Sequence, residues 1–121
     1  MADTIDPDNK RAILAACLDS VPSAVLVTDG ERVVFANART RALFRCADGS
    51  TIDGLSVSEI VHPDGHETMR QRGQVLRAAR VSLRNLPVKL RALDGSPFTL
   101  IATGTRVDCD GTRVYLFTEE S

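Results

Sequence analysis

The spacing of hydrophobic residues changes along the chain, and each change marks an element. Ile13, Leu14, Cys17, Leu18 and Val21 recur at intervals of three and four, which places them on one face of an amphipathic N-terminal helix. Asp6 is positioned to cap that helix, Pro7 suits its first turn, and Pro22 ends it. Two short apolar runs follow, residues 24–28 and 32–36, joined across Asp29-Gly30. They predict an antiparallel hairpin. Asn37 then precedes a short helix at 38–44 and can accept from its free amides. Residues 45–65 carry three Asp-Gly pairs and only brief apolar clusters, which predicts helical turns rather than strands. The stretch 67–80 is the longest internal helix, with Met69, Gly73, Leu76, Ala79 and Leu83 at helical spacing. Three more strands close the pattern at 86–93, 97–107 and 112–118, punctuated by Asp94-Gly95 and Asp110-Gly111.

Hairpins make antiparallel neighbours, so the fold class predicted is α+β. One five-stranded antiparallel sheet carries a helical insertion between strands 2 and 3, packed on a face. Alternation assigns the faces. Phe98, Leu100, Ala102 and Gly104 fall together, opposite Thr99, Ile101, Thr103 and Thr105, and Leu86, Val88, Leu90 and Ala92 fall together opposite Pro87, Lys89 and Arg91. These read as the inner faces. Val25, Val27, Val34, Tyr115 and Phe117 are left over for the outer face, a patch large enough to need a cover. The N-terminal helix, from this chain or a partner, is the expected cover, which divides the sequence into a capping or dimerisation helix at 1–21 and a domain at 22–119.

Composition narrows the class. With 121 residues there is room for one domain. Fifteen basic residues against sixteen acidic ones leave a charge of −1, which argues against direct nucleic-acid contact by this module. A hydrophobic share of 43% excludes a disordered chain. No apolar run approaches the roughly 18 residues that cross a bilayer, and no basic-then-apolar leader opens the chain, so no membrane association and a cytoplasmic location are expected. Cys17, Cys46 and Cys109 are odd in number and far apart, which predicts three reduced, mostly buried thiols rather than a disulfide or zinc framework.

Several segments together resemble a PAS domain over residues 18–119. They are Ser20-Val21-Pro22-Ser23-Ala24-Val25-Leu26-Val27-Thr28-Asp29, Val33-Val34-Phe35-Ala36-Asn37-Ala38, Gly54-Leu55-Ser56, Val61-His62-Pro63-Asp64, Leu90-Arg91-Ala92-Leu93-Asp94-Gly95 and Asp108-Cys109-Asp110-Gly111. The resemblance implies a sensory or interaction module of a signalling protein, a sheet facing helices across a small-molecule cavity. It also implies dimerisation through the N-terminal helix and transmission through the end of the last strand. The Asp-x-Thr that often ends that strand in the family is absent here, where the chain reads Leu116-Phe117-Thr118-Glu119.

On this basis the candidate cavity residues are Leu26 and Phe35 from the first hairpin. Leu43, Ile60, Met69, Gly73 and Leu76 come from the insertion, and Val88, Leu90, Leu100, Ala102 and Gly104 from the third and fourth strands. Gly73, Ala102 and Gly104 either permit close packing or leave space for a ligand. The candidate dimer interface comprises Ile13, Leu14, Cys17, Leu18, Ile101, Tyr115 and Phe117. Arg70, Arg77, Arg80 and Arg84 line a neighbouring helix face, either solvated or an electropositive contact.

No resident cofactor is expected. Haem-binding members of the family place a histidine on the long helix, and residues 67–80 hold none. Light-oxygen-voltage members carry an Asn-Cys-Arg-Phe-Leu-Gln segment around a reactive cysteine, which this chain lacks, so a covalent flavin is disfavoured. His62 and His66 are four apart, but Pro63 and Gly65 between them break the helical register a metal pair needs, and no metal site is expected. A small apolar metabolite remains open as ligand. Catalysis is not expected, because both histidines crowd one loop and no phosphate loop or oxyanion signature accompanies them. The expected function is the sensory domain of a signal-transduction protein that binds a small ligand, forms a homodimer, or both. Its output domain, attached beyond the last strand, is expected to be a transcription regulator first, else a histidine kinase or diguanylate cyclase. The alternative is a ligand-free dimerisation module.

Overall fold

The computed structural model describes residues 6–120. Helix α1 spans Pro7–Asp19. Asp6 caps it, accepting from the Asn9 amide at 2.8 Å. No residue of α1 is buried, and Ile13 and Leu14 are 41% and 53% exposed. Its ties to the body are at its last turn: Asp19 Oδ1 accepts from the Ala38 amide at 2.8 Å, and the Leu18 carbonyl accepts from Asn37 Nδ2 at 2.9 Å. The helix therefore hangs from the body by its C-terminal end, and within this chain its apolar stripe, with Cys17 exposed beside it, covers no sheet face.

Strands β1 (Val25–Thr28), β2 (Val33–Ala36), β3 (Ser82–Arg91), β4 (Pro97–Cys109) and β5 (Thr112–Glu119) form one antiparallel sheet in the order β2-β1-β5-β4-β3. The turns are those the Asp-Gly pairs call for. Asp110 and Gly111 take φ of 50° and 78°, the two-residue left-handed turn that follows strand twist. At the β3–β4 turn Asp94 Oδ1 accepts from the Ser96 amide at 3.0 Å while Gly95 takes φ 88°. Strand β3 begins at Ser82, earlier than expected, because β4 is long enough to offer a partner as far as Thr105. The extension contains a register shift between Leu83 and Leu86, where Asn85 adopts φ 54°.

Two face assignments change. Counting from the β4–β5 turn, Phe117 pairs with Gly104 and Tyr115 with Arg106, so both aromatic rings share the inner face with Leu100 and Ala102. The outer face of β5 instead carries Val114 and Leu116. Tyr115 and Phe117 are thus removed from the outer surface, where Val34 and Ile101 stay 49% and 43% exposed. Phe35 moves the other way. It pairs with Val27, on the face opposite Leu26, because a bulge between Val27 and Thr28 keeps Val33 and Ala36 both pointing inward.

The insertion packs on the inner face as α2 (Ala38–Leu43), α3 (Val57–Ile60), a 3-10 turn (Pro63–Gly65) and α4 (His66–Ala78). Its ends are stitched to the sheet edge, with the Leu93 amide donating to the Phe44 carbonyl at 3.0 Å and the His62 amide to the Lys89 carbonyl at 3.0 Å. Phe44 and Ile52 are fully buried beside Ile60, Val61, Val88 and Leu90, and Phe44 meets Phe98 edge to face at 5.0 Å. Of the three cysteines expected to be mostly buried, only Cys46 packs against this core. Cys17 and Cys109 are exposed, and only Cys46 is half-buried, where burial pushes its thiol up.

Asn37 caps α2 by accepting from the Thr40 amide at 3.1 Å, and it does more than cap. Its Oδ1 also accepts from the Val25 amide at 2.9 Å and the Thr40 hydroxyl at 2.8 Å, while Nδ2 donates to the Leu18 and Ser23 carbonyls at 2.9 and 3.0 Å. Fully buried, this one amide ties α1, β1 and α2 together, and all its hydrogen-bonding capacity toward protein is used.

Candidate functional site

The helical insertion does not seat flush on the sheet. Between them lies a cavity of about 390 Å³. Its floor is the inner sheet face, with Leu26 and Thr28 of β1, Tyr115, Phe117 and Glu119 of β5, Leu100 and Ala102 of β4, and Val88 and Leu90 of β3. Its roof is Thr40 and Phe44, then Ile60 and Val61, then Met69, Gly73, Leu76 and Arg77 along α4. The walls are predominantly aliphatic and aromatic, as in most small-molecule sites, and the volume lies within the usual range of about 300–1,000 Å³.

Nine of the sequence candidates line this space: Leu26, Ile60, Met69, Gly73, Leu76, Val88, Leu90, Leu100 and Ala102. Three do not. Phe35 is on the far face of the sheet for the reason given above. Leu43 is displaced by Thr40 and Phe44, which lie one helical turn apart and present the inward face of α2. Gly104 sits beneath the Phe117 ring, where an added Cβ would approach Cε1 to 3.0 Å and Leu76 Cδ1 to 3.4 Å. The two glycines therefore divide the roles that sequence left open: Gly104 permits close packing, and Gly73 borders space.

The polar groups around the cavity are those the sequence reading missed. Tyr115 is buried, its ring 3.4 Å from where a Gly30 side chain would begin. The Thr40 hydroxyl shares its single proton between the Val25 carbonyl at 2.9 Å and Asn37 Oδ1 at 2.8 Å. His66 opens α4, so the long helix does begin with a histidine on the cavity wall. Its Nε2, however, lies 2.9 Å from the Val61 carbonyl and 3.1 Å from the Ser58 carbonyl, which commits that nitrogen to backbone. His62 Nδ1 accepts from the Asp64 amide at 3.1 Å. The two imidazoles are thus engaged separately, and among the described residues no group of three or more His, Cys, Asp or Glu is arranged to hold a metal ion.

Glu119 closes the end of the floor. Oε1 accepts from the Ala24 amide at 2.8 Å, Arg39 pairs with Oε2 at 3.3 Å, and the side chain is only 17% exposed. Burial pushes this carboxyl up, and the Ala24 amide and Arg39 more than offset it, so it stays ionised below the usual range. In the opposite direction the Glu119 amide donates to the Ala24 carbonyl at 2.9 Å. Arg70 and Arg77, expected on a separate solvated face, border the cavity together with Arg72. Arg70 pairs with Glu67, and Arg72 Nη1 donates to the Pro87 carbonyl at 2.7 Å. Arg80 leaves this group to join Arg106 and Arg113 around Asp108.

The architecture has many counterparts among solved structures. The PAS domain of an HTR-like protein from Haloarcula marismortui superposes with a TM-score of 0.74 at 18% identity, over 93% of this chain and 92% of that one. A PAS domain from a two-component sensor histidine kinase gives 0.73 at 9% identity, over 95% and 98%. An RNA-binding light-oxygen-voltage receptor gives 0.70 at 15% identity, over all of this chain and 35% of the receptor. At these identities the likeness is one of fold. No curated protein sequence matches the chain. Among the described residues no helix is long and apolar enough to cross a membrane. A sequence family model described as PAS domain matches residues 11–80, more than half of the chain, taking in the hairpin, Asn37 and most of the cavity roof. The chain belongs to the PAS domain family.

Proposed function

We propose that this PAS domain is a sensor for a small, largely apolar molecule held between sheet and helices. The observation that carries this reading is the 390 Å³ cavity itself. At ~30 Å³ of liquid volume per water, it would otherwise hold about a dozen waters against apolar walls, and burying a ligand's apolar surface there releases them. The route outward is short. Phe117, Thr118 and Glu119 are consecutive on β5 and all border the cavity, and Glu119 holds β1 and α2 through Ala24 and Arg39. A ligand that displaces Phe117 therefore bears directly on the strand end from which an output element would be driven, provided it binds two arrangements of that end unequally. An attached transcription regulator, histidine kinase or diguanylate cyclase would be such an element. Neither catalysis by the domain nor a resident cofactor enters this reading.

The test is native mass spectrometry of the purified domain, followed by a thermal-shift screen of small metabolites. A specific ligand at 100 times its Kd stabilises the folded state by ~2.7 kcal/mol, which for a domain of this size raises Tm by roughly 10 °C. A domain with no co-purifying species and no shift from any compound would overturn the proposal.

A second role is favoured by a separate observation. The α1 stripe and the outer face of the sheet are both apolar and both uncovered, with Leu14 53%, Val34 49% and Ile101 43% exposed. A second copy that lays its α1 across this sheet face would bury both at once, giving a homodimer with α1 as the exchanged contact. Ile13, Leu14, Cys17, Leu18 and Ile101 then form the interface, without Tyr115 or Phe117.

A further inference from the structure

The ionisable groups on the cavity wall are matched with two exceptions, Arg72 and Arg77 of α4. Glu119 is paired with Arg39, Arg70 with Glu67, and His66 Nε2 faces two carbonyls. Arg77 stands apart. It lies two helical turns beyond Arg70 on the same face of α4, and its guanidinium folds back over Gly73, where Nη1 is 3.4 Å from the position of a Cβ. There it borders the cavity within van der Waals reach of position 73. Among the described residues it has no carboxylate partner.

Its surroundings add positive charge rather than remove it. Arg72, also on the wall, is bound to the neutral Pro87 carbonyl, which satisfies a donor and leaves the charge uncompensated. Behind it, Arg106 has a side chain only 9% exposed, donates to the Arg77 carbonyl at 3.0 Å, and has a buried Nε with no acceptor. Asp108 is the acid of that corner, and it is shared among Arg80, Arg106 and Arg113. A wholly neutral ligand would leave this side of an otherwise apolar cavity electrostatically unanswered. A guanidinium at the edge of a low-dielectric space binds a carboxylate through two charge-assisted hydrogen bonds.

We infer that the cavity selects an amphipathic carboxylate, its apolar body against Met69, Leu100 and Phe117 and its head group on Arg77. This rests on the ligand-binding reading above and narrows it to a chemical class. Calorimetric titrations of the domain with octanoate and phenylacetate, against octan-1-ol and 2-phenylethanol, separate the two. Each acid is expected to bind about tenfold tighter than its alcohol, the effect of one charge-assisted contact, and that advantage should shrink as salt is raised. Arg77→Gln, a change at an exposed side chain, is expected to erase the advantage and leave the alcohols unaffected. Alcohols binding as tightly as the acids, or Arg77→Gln weakening both alike, would overturn carboxylate selection while leaving a cavity that binds ligands. If none of the four binds, carboxylate selection fails, and native mass spectrometry with the metabolite screen decides separately whether the cavity binds a ligand.

Discussion

At the scale of single residues, Asn37 and Gly104 show how much one position decides. Asn37→Ala removes an amide whose oxygen serves three donors and whose nitrogen serves two carbonyls, all inside the protein. The groups left behind cannot all reach water, so the variant is expected to lose about 3–5 kcal/mol in urea unfolding. A loss below 1 kcal/mol would mean that water enters and replaces the side chain. Gly104→Ala presses a methyl group to 3.0 Å from the Phe117 ring and is expected to cost about 1–3 kcal/mol. Gly73→Ala makes the matched comparison. Its Cβ meets only the movable Arg77 head at 3.4 Å, so helix propensity dominates and stability should rise by up to about 1 kcal/mol. Equal effects of the two substitutions would contradict the division of packing and space between these glycines. The capping role of Asn37 was legible because its partner Thr40 is three residues away. Its bonds to Leu18, Ser23 and Val25 were not, since nothing in local spacing says which distant carbonyls will converge on an amide.

At the scale of elements, the helices and turns were readable and the phase between neighbouring strands was misread. Asp-Gly pairs and apolar periodicity located every hairpin. In β5, though, Val114 and Leu116 are as apolar as Tyr115 and Phe117, so alternation alone cannot say which pair faces inward. The information was nevertheless present in the two-residue Asp110-Gly111 turn, because counting outward from it sets Phe117 opposite Gly104. Phe35 escaped for a different reason, a bulge that shifts pairing by one residue and leaves no trace in composition. Helix α1 is the element whose context the chain by itself does not provide. If its stripe is a dimer contact, Ile13→Glu with Leu14→Glu should halve the mass measured by light scattering without lowering Tm, since neither side chain is buried in the monomer. Removing the helix altogether is a poorer test, because Leu18 and Asp19 anchor Asn37 and α2. An unchanged mass in the double variant would rule out this interface.

At the scale of the whole molecule, the surface is held by carboxylates whose folded state favours the charged form. Asp94 is drawn from 3.8 to about 2 by the Ser96 hydroxyl and amide and by Arg45, and Asp29, Asp64, Glu67, Asp108 and Glu119 are lowered as well. A group whose folded value lies below its unfolded one holds fewer protons when folded, so its stabilisation is complete above about pH 5 and is lost as pH falls. Urea midpoints should therefore be level near neutrality and decline from about pH 4.5 toward pH 2, with Asp94→Asn flattening the lower part of that limb. A midpoint that rises on acidification would contradict these assignments. The cavity was legible at this scale as the expected gap between sheet and insertion. Its polar and basic lining was not, because helical spacing sets Arg77 beside the apolar stripe without saying that its flexible guanidinium folds back over Gly73.

The paired backbone at Ala24 and Glu119 has a geometric consequence for any longer polypeptide that contains this domain. The segment entering the sheet and the segment leaving it are joined twice there: the Glu119 amide donates to the Ala24 carbonyl at 2.9 Å, and the Ala24 amide donates to the Glu119 side-chain carboxylate at 2.8 Å. The connection from α1 into β1 and the end of β5 thus meet at one point on the surface, while anything ahead of α1 departs from that helix's far end. The same closeness makes that junction a single fulcrum: a twist applied to one departing segment is felt at once by the other.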